Sequence, residues 1–158
     1  MSFRRGAFIV LAATLVACVS STQKEKAMTA EEALGRVKEL VDATLSQVAP
    51  NAELTPEAVS GGTTCESNVG SPTAQRSYGY IFSFPVPDEA TGDQVLRKAA
   101  KFWGQKAHQV GGDLNDDHSP FIHIGEDGFN FMATFARQTL RASVGGSTPC
   151  VDPLPGDT

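Results

Sequence analysis

The sequence predicts an α+β fold: a two-layer sandwich in which an antiparallel-dominated sheet of about four strands carries two helices on one face. Three observations predict it. Segments 29–48 and 88–109 place apolar residues at helical spacing, segment 76–84 alternates aromatic with small residues, and 121–144 holds three strand-like runs joined by hairpin-length turns. The element order is therefore α-β-α-β-β-β.

The first helix opens at Thr29, with Glu32 three positions on, a capping box in which each side chain can satisfy the other residue's backbone N–H. Leu34, Val37, Leu40, Val41, Leu45 and Val48 follow on one stripe, and Pro50 stops the run. The stripe suits burial against the protein's own sheet, although a partner-binding face would use the same pattern. From 51 to 73 the chain is rich in Gly, Ser, Thr and Pro, with turns marked at Gly61-Gly62 and Ser71-Pro72; a short edge strand fits near 52–59. Over 76–84, Tyr78, Tyr80, Phe82 and Phe84 alternate with Ser77, Gly79, Ile81 and Ser83, a strand with one aromatic face.

Pro85 and Pro87 end that strand, and 88–91 leads into a second helix running to about Gln109. Its apolar side comprises Val95, Leu96, Ala99, Phe102, Trp103, Ala107 and Val110, and Gly111-Gly112 supplies the exit. After a loop at 113–120, a strand at 121–124 turns through Gly125-Glu126-Asp127-Gly128 into another at 129–137. There Phe129, Phe131, Ala133 and Phe135 share one face, and Asn130, Met132, Thr134 and Ala136 the other. A tight turn near Gln138 starts the last strand, 139–144, with Leu140, Ala142 and Val144 in phase.

The N-terminus carries an address. Arg4 and Arg5 precede an apolar run from Ala7 to Ala17, a charged n-region followed by an h-region. At 1.5 Å per residue the run reaches roughly 16 Å against a hydrocarbon core of about 30 Å, too short for a permanent span. Leu15-Val16-Ala17-Cys18 resembles the bacterial lipobox at every position. That resemblance implies cleavage before Cys18 and a diacylglycerol on its sulfur; the alternatives are an ordinary secretory signal with a chance cysteine, or a short buried helix. Ser2-Phe3 and Gly6-Ala7, flanking the arginine pair, depart from the twin-arginine pattern, which leaves general secretion as the expected route. The chain then divides into a signal peptide at 1–17, the lipidated Cys18 and a flexible tether at 18–28, a single domain at 29–151 and a disordered tail at 152–158.

Removing 1–17 takes away two of 13 basic residues and none of 18 acidic ones, so the mature net charge is 11 minus 18, or −7. Nucleic acid and anionic headgroups are poor partners for such a surface, because binding them needs basic groups that release condensed counterions. For the same reason the aromatic strand reads as core and not as a base-stacking platform. With Cys18 acylated, Cys65 and Cys150 remain as an even pair in an oxidising compartment and are expected to form a disulfide. Two free thiols or a redox pair would be the alternative, and a Cys-x-x-Cys spacing is missing.

For chemistry, the most suggestive residues are His108, Asp113, Asp116, Asp117, His118 and His123, whose imidazoles and carboxylates suit a divalent metal but whose spacing matches no zinc pattern. Asp113, Asn115 and Asp117 follow the first half of a calcium loop, yet His118 stands where that loop needs Gly and Ile124 where it needs Glu. The segment reads better as a solvated turn, and neither metal nor cofactor is expected. Gly145-Gly146-Ser147-Thr148 lacks the G-x-S-x-G elbow and reads as a turn before Cys150. The acidic neighbours Asp88-Glu89 and Glu126-Asp127 sit at expected turns, where water keeps both ionised.

Taken together, the lipobox, the first amphipathic helix, the isolated Cys65, the aromatic strand, the second helix, Asp127-Gly128-Phe129-Asn130-Phe131 and the run from Thr139-Leu140-Arg141 to Cys150 resemble the small lipoproteins of mycobacteria and related actinobacteria, the LppA-like group. The resemblance implies a similar fold and disulfide and carries no established activity. No catalytic motif is present, so the expected role is a binding or interaction module on the outer face of the bacterial cytoplasmic membrane, partnered by the membrane through Cys18 and by an envelope protein. A carrier for a small apolar ligand or lipid, and a hydrolase using His118 or His123, are the other readings.

The thioether on Cys18 is what holds the protein to the bilayer in this reading. Cys18→Ser is expected to leave the signal uncleaved at that site and the chain without its lipid, read as a larger species on an immunoblot and loss of acyl-chain labelling; unchanged processing and labelling would contradict lipidation.

Overall fold

The structure, a computed structural model, describes residues 28–57, 62–66, 72–106 and 108–157; the export signal at 1–17, Cys18 and the tether up to residue 27 lie outside them. The elements are α1 (Ala30–Val48), β1 (Thr55–Glu57), β2 (Thr63–Glu66), β3 (Pro72–Ser77), β4 (Gly79–Pro85), α2 (Glu89–Gln105), β5 (Gly111–Asp113), β6 (Phe121–Glu126), β7 (Phe129–Ala136) and β8 (Arg141–Ser147). The main sheet has six strands in the order β1-β4-β8-β7-β6-β5, and β2 and β3 form a separate hairpin. Every pairing in the main sheet is antiparallel.

The fold class is the one the sequence predicts, but the sheet is wider than the expected four strands. Both extra members are edge strands of three residues, β1 and β5, too short to display a period of two. Thr55–Glu57 falls inside the segment where a short edge strand fitted. Gly111-Gly112, read as a helix exit, instead pairs with His123 and Ile122. The second helix accordingly stops at Gln105, earlier than expected, and Val110 is exposed.

α1 carries the anticipated capping box: Thr29 N–H donates to Glu32 Oε2 at 2.9 Å, and Glu32 N–H donates to Thr29 Oγ1 at 3.2 Å. α2 begins at Asp88, whose carboxylate accepts the Thr91 N–H at 2.7 Å. α1 lies over β4 and β8, α2 over β6 and β7, and both occupy one face. That face alternates large with small side chains across the strands, Phe84 beside Ala142 beside Phe135, and Phe82 beside Val144 beside Ala133. Two glycines let backbone approach side chain: a Cβ at Gly92 would lie 2.4 Å from Cζ of Phe135, and one at Gly146 would meet Phe131 and Val37.

The single long strand expected over 76–84 is broken at Tyr78, where the chain leaves the β2–β3 hairpin for the main sheet. Tyr80, Phe82 and Phe84 do join the helix-side core. Tyr78 is a buried corner: its N–H donates to Thr148 Oγ1 (3.0 Å), its C=O accepts the Thr148 N–H (2.8 Å), and its hydroxyl accepts the Leu154 N–H (2.8 Å) and donates to Asp157 (3.0 Å). Arg76 and Val151 exchange two backbone hydrogen bonds, and Cys65 and Cys150 are joined. Residues 152–157, read from the sequence as part of a disordered tail, thus carry contacts to the corner, because Tyr78 offers a buried hydroxyl that needs partners.

The helices meet at a buried polar joint. Trp103 Nε1–H donates to Thr44 Oγ1 at 3.0 Å, and the Thr44 hydroxyl donates to Leu40 C=O at 2.7 Å. Thr44→Val keeps the shape but strands the indole N–H, and is expected to cost about 1–3 kcal/mol in chemical denaturation, whereas Thr44→Ser should cost clearly less. Equal losses in the two variants would refute the hydrogen bond's role.

Candidate functional site

Where α1 passes the end of α2 and the β6–β7 turn, a cleft of about 400 Å³ opens to solvent. Arg36, Glu39, Leu40 and Ala43 come from α1, Lys106 and His108 from the end of α2, and Glu126, Asp127, Phe129 and Phe131 from the hairpin. The hairpin turn is tighter than the four residues expected. Asp127 and Gly128, at φ 50° and 82°, make a two-residue connection, so Gly125 and Glu126 belong to β6.

Leu40, Ala43, Phe129 and Phe131 floor the cleft. Around them stand charged groups whose positions are set by neighbours. Arg36 lies 5.9 Å from the Phe129 ring centroid and Lys106 lies 5.2 Å from that of Phe102. His108 Nδ1 is 3.0 Å from Glu126 Oε2, and its side chain is only 15% exposed. The Glu126 carboxylate at Nδ1 holds that ring nitrogen as a donor and orients the imidazole. The cleft can therefore offer donors, acceptors and apolar surface together.

The candidate metal cluster is divided among three places. His108 belongs to the cleft. His123 stands on the opposite face of the sheet, stacked 6.1 Å from Phe121. Asp113 and Asp116 serve their own loop: Asp113 Oδ1 accepts the Asn115 N–H at 2.8 Å, and Asp116 Oδ1 accepts those of His118 (2.8 Å) and Ser119 (2.6 Å). The D-x-N-x-D run is thus used in Asx turns. Asp117 and His118 are exposed beside it. Among the described residues no three His, Cys, Asp or Glu side chains converge on a point that could hold a metal ion. Of the acidic pairs, Asp88 caps α2, Glu89 pairs with Arg137 at 3.3 Å, and Glu126 holds His108.

Gly145-Gly146-Ser147 is not a turn, as expected, but part of β8 in the middle of the sheet. Side chains of neighbours fill the space: Ile81 leans over Gly145, and Phe131 over Gly146. On the face without helices, Ile81, Gly145, Met132 and His123 form one cross-strand row. An apolar hollow of about 290 Å³ lies there, rimmed by Ser143, Ser147, Thr134 and Asn130. No helix among the described residues is long and apolar enough to cross a membrane.

Asp116 is held below the ordinary value of 3.8 by the backbone N–H groups of Ser119 and His118, and Asp88 by that of Thr91. A depressed folded-state pKa adds stability that is present above 3.8 and is lost as pH falls through the folded value. Urea denaturation of the wild type and of the Asp88→Asn, Asp116→Asn double variant should therefore differ near neutrality and converge well below pH 3.8; a gap that widens on acidification would contradict it.

No family model and no curated protein matches the chain. Among solved structures it is similar to that of the protein assigned as lipoprotein LppA of Mycobacterium tuberculosis, with 12% sequence identity and a TM-score of 0.47 over 81% of each chain.

Proposed function

We propose that this protein is a lipid-anchored binding module of the bacterial cell envelope, displayed on the outer face of the cytoplasmic membrane, and that it takes a small amphipathic ligand in the cleft between α1 and the β6–β7 turn. The lipobox at Leu15-Val16-Ala17-Cys18 supports the location. A tether of 11 residues would hold the domain within roughly 18 Å of the bilayer.

The observation that carries the binding reading is the composition of the cleft: an apolar floor ringed by Arg36, Glu39, Lys106, Asp127 and the His108–Glu126 pair. Small-molecule sites combine apolar walls with placed polar groups and begin at volumes of about 300 Å³; this cleft is more polar than most, with six of its ten lining residues charged or carrying an imidazole. A ligand with an apolar body and a polar end meets both. The volume between helices and sheet supports the interior-carrier reading less, since Trp103, Phe84, Phe135 and Leu96 fill it.

A purely apolar ligand would instead favour the hollow at Ile81, Gly145 and Met132. Native mass spectrometry of the full-length protein from its own host separates the two readings. Bound species should be present in the wild type and lost in Ala43→Phe, which fills the cleft, but kept in Met132→Lys. Loss in Met132→Lys alone moves the site to the hollow, and a bare wild-type protein overturns both.

A further inference from the structure

The bare face of the sheet carries a side chain that the α1 cleft does not use. Met132 is 47% exposed, the most exposed large apolar side chain among the described residues. Its exposure has a structural cause. β7 is interior to the sheet, so Met132 has neighbours in register on both sides, Gly145 on β8 and His123 on β6. Gly145 has no side chain to lay against it. His123 leans the other way, into the space that Gly111 leaves open on β5, where a Cβ would lie 2.8 Å from its Cε1. Both helices are on the opposite face. The thioether is left standing at the edge of an apolar hollow.

We propose that Met132 is the oxidant-responsive position of this protein, converted to its sulfoxide by peroxides. The sulfur lone pair attacks one peroxide oxygen, the O–O bond breaks, and with hydrogen peroxide the products are the sulfoxide and water. Exposure of the sulfur governs the rate, and the product replaces a flexible apolar group by a polar one. At Met132 the new oxygen stands in the hollow lined by Ile81 and Gly145, turning its apolar centre into a strong acceptor. The core is untouched, because Phe131 and Ala133 on either side point into the other layer.

Met28, partly buried against the core at the start of α1, is the internal comparator, and Trp103 reports on the fold. The full-length protein in its native membranes is treated with hydrogen peroxide, and peptides are followed by mass spectrometry. Addition of one oxygen is expected severalfold faster at Met132 than at Met28. In detergent-solubilised protein, the emission of Trp103, the one tryptophan in the chain, is expected to stay constant while Met132 reacts. Met132→Leu should remove the fast phase and leave the Met28 rate unchanged. Oxidation of Met28 at an equal or greater rate, or a Trp103 change that accompanies the fast phase, would overturn the assignment.

Discussion

Both helices have to bury their apolar stripes on the same side of one sheet, and the fold is organised around that demand. A helix pair covers the four inner strands only if the sheet offers a surface that interlocks with it. The rows Phe84–Ala142–Phe135 and Tyr80–Gly146–Phe131 provide bumps and hollows in register. From above, Gly92 leaves room for the Phe135 ring and Val37 fits the hollow at Gly146. Each fully buried large side chain contributes about 1.5–3 kcal/mol, so Trp103, Phe84, Phe135 and Leu96 together outweigh any surface ion pair in the molecule. The Trp103–Thr44 hydrogen bond then fixes how the helices sit against each other, since an indole N–H buried without an acceptor would be costly.

The two candidate surfaces follow from this arrangement. α1 covers β4 and β8 while α2 covers β6 and β7, and where α2 ends at Gln105 the β6–β7 hairpin continues beyond it. The cleft is the space left at that corner, and Lys106 and His108 line it because the chain must turn there. The second surface is the reverse of the sheet. Small and polar residues, Ser143, Ser147, Thr134 and Asn130, keep it largely wettable, with Ile81 and Met132 as its apolar centre.

Local signals and the fold class were legible; the short strands and the partners of isolated residues were not. The Thr29–Glu32 box and the alternation of Phe129, Phe131, Ala133 and Phe135 with Asn130, Met132, Thr134 and Ala136 involve neighbours a few positions apart, and both stand in the structure as read. β1, β5 and the β2–β3 hairpin are too short, or too rich in Gly, Pro and Thr, to announce themselves, and β1 pairs past the intervening hairpin with β4. Gly145-Gly146 reads as a turn because glycine is a turn residue. Its place in the sheet is decided by Ile81, Phe131 and Val37, which no local window contains. The His108–Glu126 pair was hidden for the same reason. His108 was noticed for its chemistry and grouped with the nearby Asp113 to His123, while the carboxylate it meets is brought to it by the return of β6.

The position of β8 has a consequence for biosynthesis. The strand lies between β4 and β7, so the last strand among the described residues is an inner one. Until Arg141–Ser147 has left the ribosome, β4 has no inner neighbour, and the Tyr78 corner waits for Thr148 and Leu154 as well. Partial chains therefore cannot close the sheet, because the contacts that reward loop closure join residues about 70 positions apart. A nascent polypeptide built this way stays open until β8 has emerged, and only then can the domain lock.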